Sequence, residues 1–305
     1  MRKILLILSL FIVSLYSEAA NVILESKGKA TAYTDLTTAV NASVDGDVIY
    51  LANDRSYDCS KGLLITHLIQ LRGNGTPYIN GDITISIDGT PDMKEPVLEG
   101  VYVYGDVKVM KAVSNFKLRH CHIDEIQFAT PLPNGLIDRC EVSTFNIPPV
   151  SENFYVRNTD IYNLKSSSIN NNSTVFVNCN INYIHCENVA GQFINSLISR
   201  GQDYDTYPLK NSVMANCSYY HNYLNIDSST TMINCNGEDY SYTTITSSNY
   251  WGRGDDGTPM GIRGGETPFT LTPTVMPKVT YLYVTESDGI VNVNVRATSN
   301  DKQNN

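Results

Sequence analysis

LRHCHIDEI at residues 118–126 is the stretch that decides the fold, because its pattern recurs further along the chain. The later copies read IDRCEVSTF at 137–145, VRNTDIYNL at 156–164 and FVNCNINYI at 176–184. Each copy has a small residue at its fourth position, with apolar residues three positions before it and two positions after it. We call these small residues rungs, and they are Cys121, Cys140, Thr159, Cys179, Ser196, Cys217 and Cys235. Their spacing of 17 to 21 residues predicts an array of stacked repeats.

The spacing inside each copy predicts short strands joined by corners. From Cys121 to Ile123 the period of two is that of a strand whose inward side chains share one face. The three-residue step before each rung breaks this period, so one residue must turn a corner there. From residue 158 onward that residue is asparagine, which accepts the left-handed backbone conformation that a corner needs. A second three-residue step, from Ile123 to Ile126, predicts another corner.

A unit of about nineteen residues is too short for a strand-helix-strand crossover, so the units are expected to stack as parallel strands. Parallel connections are right-handed by strong preference. We therefore predict an all-β fold, a right-handed single-stranded parallel β-helix. A leucine-rich repeat fits less well, because leucine does not dominate the apolar positions. Extended towards the N-terminus, the ladder reaches Gly100 and Gly81, which places Tyr102 and Tyr78 among the inward residues.

The two ends of the chain predict an export signal and two caps. Residues 1–19 have the basic start, the apolar run and the small cleavage-site residues of a signal peptide, so we expect a secreted, periplasmic or cell-surface protein. Residues 20–52 predict an N-terminal cap with a short amphipathic helix behind Asp35. The repeats are assigned to residues 53–248, and residues 249–305 are assigned to a C-terminal loop and β cap.

Two segments resemble a known family. YTDLTTAV at 33–40, followed by DGDVIYL at 45–51, is similar to the opening of pectin-lyase-like β-helix proteins. NYWGRGDDGTPMGIRGGETPF at 249–269 resembles a run near the C-terminus of secreted, mostly uncharacterised β-helix proteins of Bacteroides-type bacteria. The resemblance implies the β-helix fold over nearly the whole mature chain. It specifies chemistry hardly at all.

The charge of the chain restricts its partners. The formal net charge is −9, which disfavours nucleic acid and anionic membranes. An acidic polysaccharide would need a local basic patch or a bridging cation. No segment after the leader is long and apolar enough to span a bilayer, so we expect no integral membrane association. The protein is expected to be a monomer.

One candidate site emerges when the repeats are stacked. The residue after each rung points outward, which puts His122, Glu141 and Asp160 on consecutive strands, with Arg139 beside them. Histidine, carboxylate and arginine on a flat β surface can perform acid–base chemistry, with or without calcium. The alternative interpretation, which we favour, is a solvated face with cross-strand charge pairs. No cofactor is predicted, and calcium is the ion that the site could hold.

Other motifs have simpler explanations. Histidines 120 and 122 flank the inward Cys121, so the three side chains cannot converge on a zinc ion. The triplet Asn158-Thr159-Asp160 matches the first catalytic motif of polygalacturonases, but the other motifs of those enzymes are absent. The cysteines are expected to be buried thiols, although a disulfide between stacked rungs such as Cys121 and Cys140 remains an alternative.

Two functions are therefore considered. The first is a non-catalytic protein that binds an extracellular polysaccharide or a cell surface through its tyrosine- and asparagine-rich flank. The second is a polysaccharide lyase or glycoside hydrolase that uses the column at His122, Glu141 and Asp160. We favour the first, because the recognised catalytic motifs of the fold are missing.

Overall fold

The structure is a computed structural model. It describes residues 22–75, 77–88, 95–111, 113–149, 151–166, 174–185, 191–201, 213–215, 218–220, 231–238, 257–258, 260–266, 268–269, 278–287 and 290–298. The predicted signal peptide, Cys217 and the start of the predicted C-terminal loop lie outside these residues. The assigned domain boundaries remain predictions.

Stacked parallel strands form a β-solenoid in which each coil contributes to two sheets. In spatial order, sheet 1 consists of β2 (Lys29–Tyr33), β1 (Val22–Ser26), β3 (Val48–Leu51), β6 (Gln70–Arg72), β9 (Leu98–Glu99), β11 (Lys117–Arg119), β13 (Leu136–Asp138), β15 (Phe154–Arg157), β17 (Thr174–Val177), β19 (Gln192–Ile194), β21 (Val213–Ala215) and β23 (Thr231–Ile233). The pairs β1–β2 and β1–β3 are antiparallel, and the later pairs are parallel.

Sheet 2 carries the longer strands of the coils. Its strands are β4 (Ser56–Asp58), β7 (Tyr78–Asn80), β10 (Tyr102–Val109), β12 (His122–Phe128), β14 (Glu141–Ile147), β16 (Asp160–Ser166), β18 (Asn180–His185), β20 (Leu197–Gly201), β22 (Ser218–Tyr220) and β24 (Asn236–Glu238), with β5 (Leu63–Ile65) joined through β8 (Ile83–Ile85). The predicted parallel solenoid is confirmed, whereas its right-handed coiling and its two caps remain predictions.

Three elements lie outside the two sheets. Helix α1 (Leu36–Ala42) begins where the sequence predicts it, and Oδ1 of Asp35 accepts a hydrogen bond of 2.7 Å from the backbone N–H of Thr38. A 3₁₀ turn (Gly261–Arg263) follows the repeats. Strands β25 (Lys278–Ser287) and β26 (Ile290–Thr298) form an antiparallel pair.

The rungs form the predicted inward column. Cys121, Cys140, Thr159, Cys179 and Ser196 are fully buried, and the four cysteines Cys59, Cys121, Cys140 and Cys179 are buried free thiols. Burial raises the pKa of Cys179 to about 12, so its thiol stays protonated.

The rung side chains also explain why only small hydrogen-bond donors occur there. Oγ1 of Thr159 donates to the backbone carbonyl of Arg157 at 2.7 Å, and Oγ of Ser196 donates to that of Ile194 at 2.9 Å. The Cys140 thiol makes the same contact, more weakly, with the carbonyl of Asp138 at 3.4 Å. Each rung therefore braces the corner that precedes it.

The corner before the rungs has the predicted left-handed backbone. Asn158, Asn178, Asn195 and Asn234 have φ between 46° and 53°, and in earlier coils His120 and Arg139 adopt the same conformation, at 52° and 54°. A further column that the sequence analysis missed turns a different corner. It consists of Asn115, Asn134 and Asn153, with φ between 55° and 57°.

The extension of the ladder to Gly100 and Gly81 is wrong. Tyr102 pairs with His122 and Glu99 pairs with Arg119, so Val101 lies opposite the Cys121 rung and Gly100 lies at the corner. Gly81 lies at another corner, against Gly105. A slip of one residue turns every side chain to the other face. Tyr78 and Tyr102 therefore point outward rather than inward.

Candidate functional site

The outward side chains of sheet 2 form one continuous surface. We call it the aromatic–acidic face and define it as Tyr78, Tyr102, Tyr104, His122, Glu141 and Asp160. The register pairs His122 with Glu141 and Glu141 with Asp160, so three predicted site residues lie on consecutive strands. Backbone hydrogen bonds fix that spacing, because the N–H groups of Glu141 and Asp160 bind the carbonyls of the preceding coil, both at 2.9 Å.

His122 and Glu141 form an ion pair. Nδ1 of His122 lies 3.2 Å from Oε2 of Glu141, a close approach without the alignment of a full hydrogen bond. The carboxylate raises the pKa of His122 above its ordinary value, against the opposing effect of burial, and Asp124 adds a smaller contribution. The imidazole in turn lowers the pKa of Glu141. The side chain of Glu141 is 46% exposed, and that of His122 is 20% exposed.

Arg139 lies at the corner rather than on the aromatic–acidic face. Its guanidinium donates two hydrogen bonds to Oδ2 of Asp138, from Nε at 3.0 Å and from Nη2 at 2.7 Å. Asp138 belongs to sheet 1, so these bonds direct the arginine away from Glu141. The structure therefore brings His122, Glu141 and Asp160 together and joins Arg139 to a different carboxylate. A catalytic role for any of the four remains a prediction.

Other basic groups of sheet 1 are also engaged with carboxylates. In register, opposite charges alternate along the outward column Arg72, Glu99, Arg119, Asp138 and Arg157. The side chains of Arg72 and Arg119 approach Glu99 at 3.5 and 3.8 Å, and Arg119 approaches Asp138 at 3.5 Å. Such cross-strand pairs support the sheet and leave these arginines less available to a ligand.

Tyrosine rings extend the column towards the N-terminus. The ring of Tyr102 stacks on the imidazole of His122, with centroids 5.1 Å apart and planes at 22°. Tyr78 contacts Tyr102 at 5.2 Å and stacks on Tyr104 at 5.6 Å. Tyr104 is 47% exposed, so part of this aromatic surface is open to solvent. The sequence analysis missed these residues because the slipped ladder had assigned two of them to the interior.

A second aromatic pair lies near Asp160. Tyr162 and Tyr183 meet edge to face, with ring centroids 5.1 Å apart, and Tyr162 is exposed. Tyrosines thus lie on both sides of the carboxylates. This surface suits a ligand that presents apolar faces together with hydroxyl or amine groups.

The calcium hypothesis gains no geometric support. Within the described part of the chain, no group of three or more His, Cys, Asp or Glu side chains could hold a metal ion. Calcium requires several oxygen ligands in one place. Calcium binding therefore remains a prediction.

The His122–Glu141 pair gives a testable pH dependence. We expect Glu141→Gln to lower the pKa of His122, as followed by NMR titration of the imidazole, and Asp124→Asn to lower it by less. The pKa of His122 is raised by folding and that of Glu141 is lowered. The pair should therefore stabilise the fold fully between their ordinary values of 6.5 and 4.5. That stabilisation, about 0.2–1 kcal/mol for so exposed a pair, declines as pH rises through the folded pKa of His122 or falls through that of Glu141. An unchanged pKa of His122 in Glu141→Gln would contradict the pairing.

In the described residues, no helix has the length and hydrophobicity needed to cross a membrane. Comparison with known proteins found no matching family model, no matching curated protein and no matching solved structure.

Proposed function

We propose that this chain is an exported, pectin-lyase-like β-helix protein with right-handed coils that binds an extracellular or cell-surface glycan without catalysis. The observation that carries the proposal is the stack of Tyr78, Tyr102 and Tyr104 on His122. Sugar rings present apolar C–H faces that pack on such aromatic rings, while their hydroxyl groups hydrogen-bond to neighbouring polar side chains.

The charge of the face favours neutral or amine-bearing glycans over uronates. Glu141 and Asp160 continue the column of rings, and the nearest arginine, Arg139, is held by Asp138. A uronate would bring a third negative charge beside these carboxylates, which costs free energy. An amine-bearing sugar would instead meet opposite charge.

The second candidate is a polysaccharide lyase or glycoside hydrolase acting at the same column. It is favoured by the placement of His122, Glu141 and Asp160 on consecutive strands. A glycosidase needs one carboxyl group with a raised pKa as its general acid. The pKa of Glu141 is lowered by His122, which gives it the opposite character. Non-catalytic binding is therefore the preferred function.

A binding experiment tests the proposal. We expect Tyr104→Ala to weaken glycan binding about tenfold, the loss that corresponds to about 1.4 kcal/mol of stacking free energy. Binding would be measured by isothermal calorimetry with cellohexaose, laminarihexaose, mannohexaose and N-acetylated and deacetylated chitohexaose, and with hexagalacturonate as the acidic probe. Tyr155→Ala is the matched control, because that ring lies on sheet 1 beside Arg157.

The same samples distinguish binding from turnover. A lyase would produce an unsaturated product that absorbs in the ultraviolet, and a hydrolase would release new reducing ends. Turnover that disappears in the double variant Glu141→Ala and Asp160→Ala would establish the enzymatic alternative. Equal loss of affinity in Tyr104→Ala and Tyr155→Ala would place the glycan elsewhere.

A further inference from the structure

A short segment after the repeats is fastened along the corner of the solenoid. We call residues 260–266 the strap. The backbone N–H of Gly261 donates to the carbonyl of Asn195 at 2.8 Å, and Nδ2 of Asn158 donates to the carbonyl of Gly264 at 2.6 Å. The strap therefore spans the corners of three successive coils.

The strap lies so close to the coils that side chains do not fit at two of its positions. Gly261 and Gly265 have φ of 74° and 76°. A Cβ atom on Gly261 would overlap with Oδ1 of Asn180, and one on Gly265 would overlap with Nδ2 of Asn178. Glycine is thus required there both for its backbone conformation and for its small size.

The strap covers the continuation of the aromatic–acidic face. Beyond Asp160 the next outward positions in register are Asn180 and Leu197. These two residues are only 5% and 1% exposed, although the same position is 46% exposed in the side chain of Glu141. A leucine at an outward position would ordinarily be exposed, and its burial here follows from the contact with Gly261. The open surface therefore ends at Asp160.

We propose that the strap makes the binding face closed at one end, so that it receives a chain end or a short oligosaccharide rather than the interior of a long polymer. The inference rests on the proposed glycan binding. Four strand spacings separate Tyr78 from Asp160, which gives an open length of about 19 Å. A glycan lying along the axis of the solenoid would meet the strap at the coil of Asn180.

The test releases the strap without disturbing the corner. Asn158→Gly keeps the left-handed backbone, where Asn158 has φ of 46°, but removes the side chain that holds Gly264. Asn153→Gly is the matched control, because Asn153 has φ of 55° at another corner and bonds to Asn134 rather than to the strap. Trypsin cleavage after the exposed Arg263 reports release and should accelerate in Asn158→Gly alone.

Binding is then measured with cello-oligosaccharides and N-acetylated chito-oligosaccharides from disaccharide to octasaccharide. For the wild type and Asn153→Gly, we expect affinity to stop rising once the chain fills the open length. For Asn158→Gly, affinity should continue to rise, by about tenfold at the octasaccharide.

Three results would overturn the inference. Unchanged cleavage after Arg263 in Asn158→Gly would show that the asparagine does not hold the strap. Faster cleavage with the length dependence of the wild type would show that the strap does not limit the glycan, and the proposed binding would stand. Absence of binding to every oligosaccharide by all three proteins would overturn the proposed function together with the inference.

Discussion

Replacing Phe176 by alanine is expected to lower the free energy of unfolding by about 3–5 kcal/mol. Phe176 is fully buried and stacks on Phe193 of the next coil, with ring centroids 4.9 Å apart and planes at 7°. It also meets Phe145 edge to face at 6.2 Å. Removing the ring opens a cavity between coils whose backbone positions are fixed by hydrogen bonds, so the core cannot collapse to fill it. Urea unfolding followed by circular dichroism measures the loss.

Tyr162→Ala is the control for Phe176→Ala. It also removes an aromatic ring, but Tyr162 is half exposed and contacts Tyr183 at the surface. Its expected cost is below about 1 kcal/mol, because little apolar area leaves the core. Comparable costs for the two variants would show that Phe176 is not part of a packed stack.

The coils from Cys121 to Ser196 could be predicted from the sequence. Their rungs, strands and corners repeat with little variation, so the burial of Cys140, Thr159 and Cys179 follows from spacing alone. Parallel stacking then brings residues one coil apart into contact, which is why the pairing of His122 with Glu141 was also predictable. Regular repeats convert sequence distance into spatial distance.

The earlier coils could not be predicted in the same way, because they are longer. The register joins Tyr78 to Tyr102 across 24 residues and Tyr102 to His122 across 20. A ladder drawn with a step of nineteen therefore slips by one residue at Gly100, and the slip exchanges inward and outward faces. The tyrosines that carry the proposed function were hidden by this slip. The motif Tyr-x-Tyr at 102–104, read as a period of two on an exposed strand, would have been the signal.

The direction of the Arg139 side chain could not be read from alternation either. Alternation assigns faces within a strand, but Arg139 is a corner residue with φ of 54°. At such a corner the side chain leaves the strand pattern, and the nearest carboxylate then decides its partner. Here that carboxylate belongs to Asp138, in the preceding position of sheet 1. Sequence spacing placed Arg139 beside Glu141 without determining its bond.

Replacing Gly81 by alanine is expected to destabilise the protein by about 3 kcal/mol or more, through backbone strain together with overpacking. Gly81 has φ of 130°, a conformation that side-chain-bearing residues rarely adopt. The added Cβ would overlap with the backbone carbonyl of Cys59 in the neighbouring coil. That backbone cannot move freely, because the N–H of Cys59 donates to Asn80 and its carbonyl accepts from Gly62, both at 2.8 Å.

Gly28→Ala separates the backbone strain from the overlap between coils. Gly28 also has a positive φ, of 76°, but an added Cβ would meet no atom within 4 Å. Its expected cost is the conformational term alone, about 1–2 kcal/mol. The excess loss in Gly81→Ala, measured by urea unfolding of both variants, then reports how rigidly one coil is held against the next. If Gly81→Ala cost no more than Gly28→Ala, the coils would be free to separate at Cys59, and the close stacking that orders the tyrosines from Tyr78 onward would lose its structural basis.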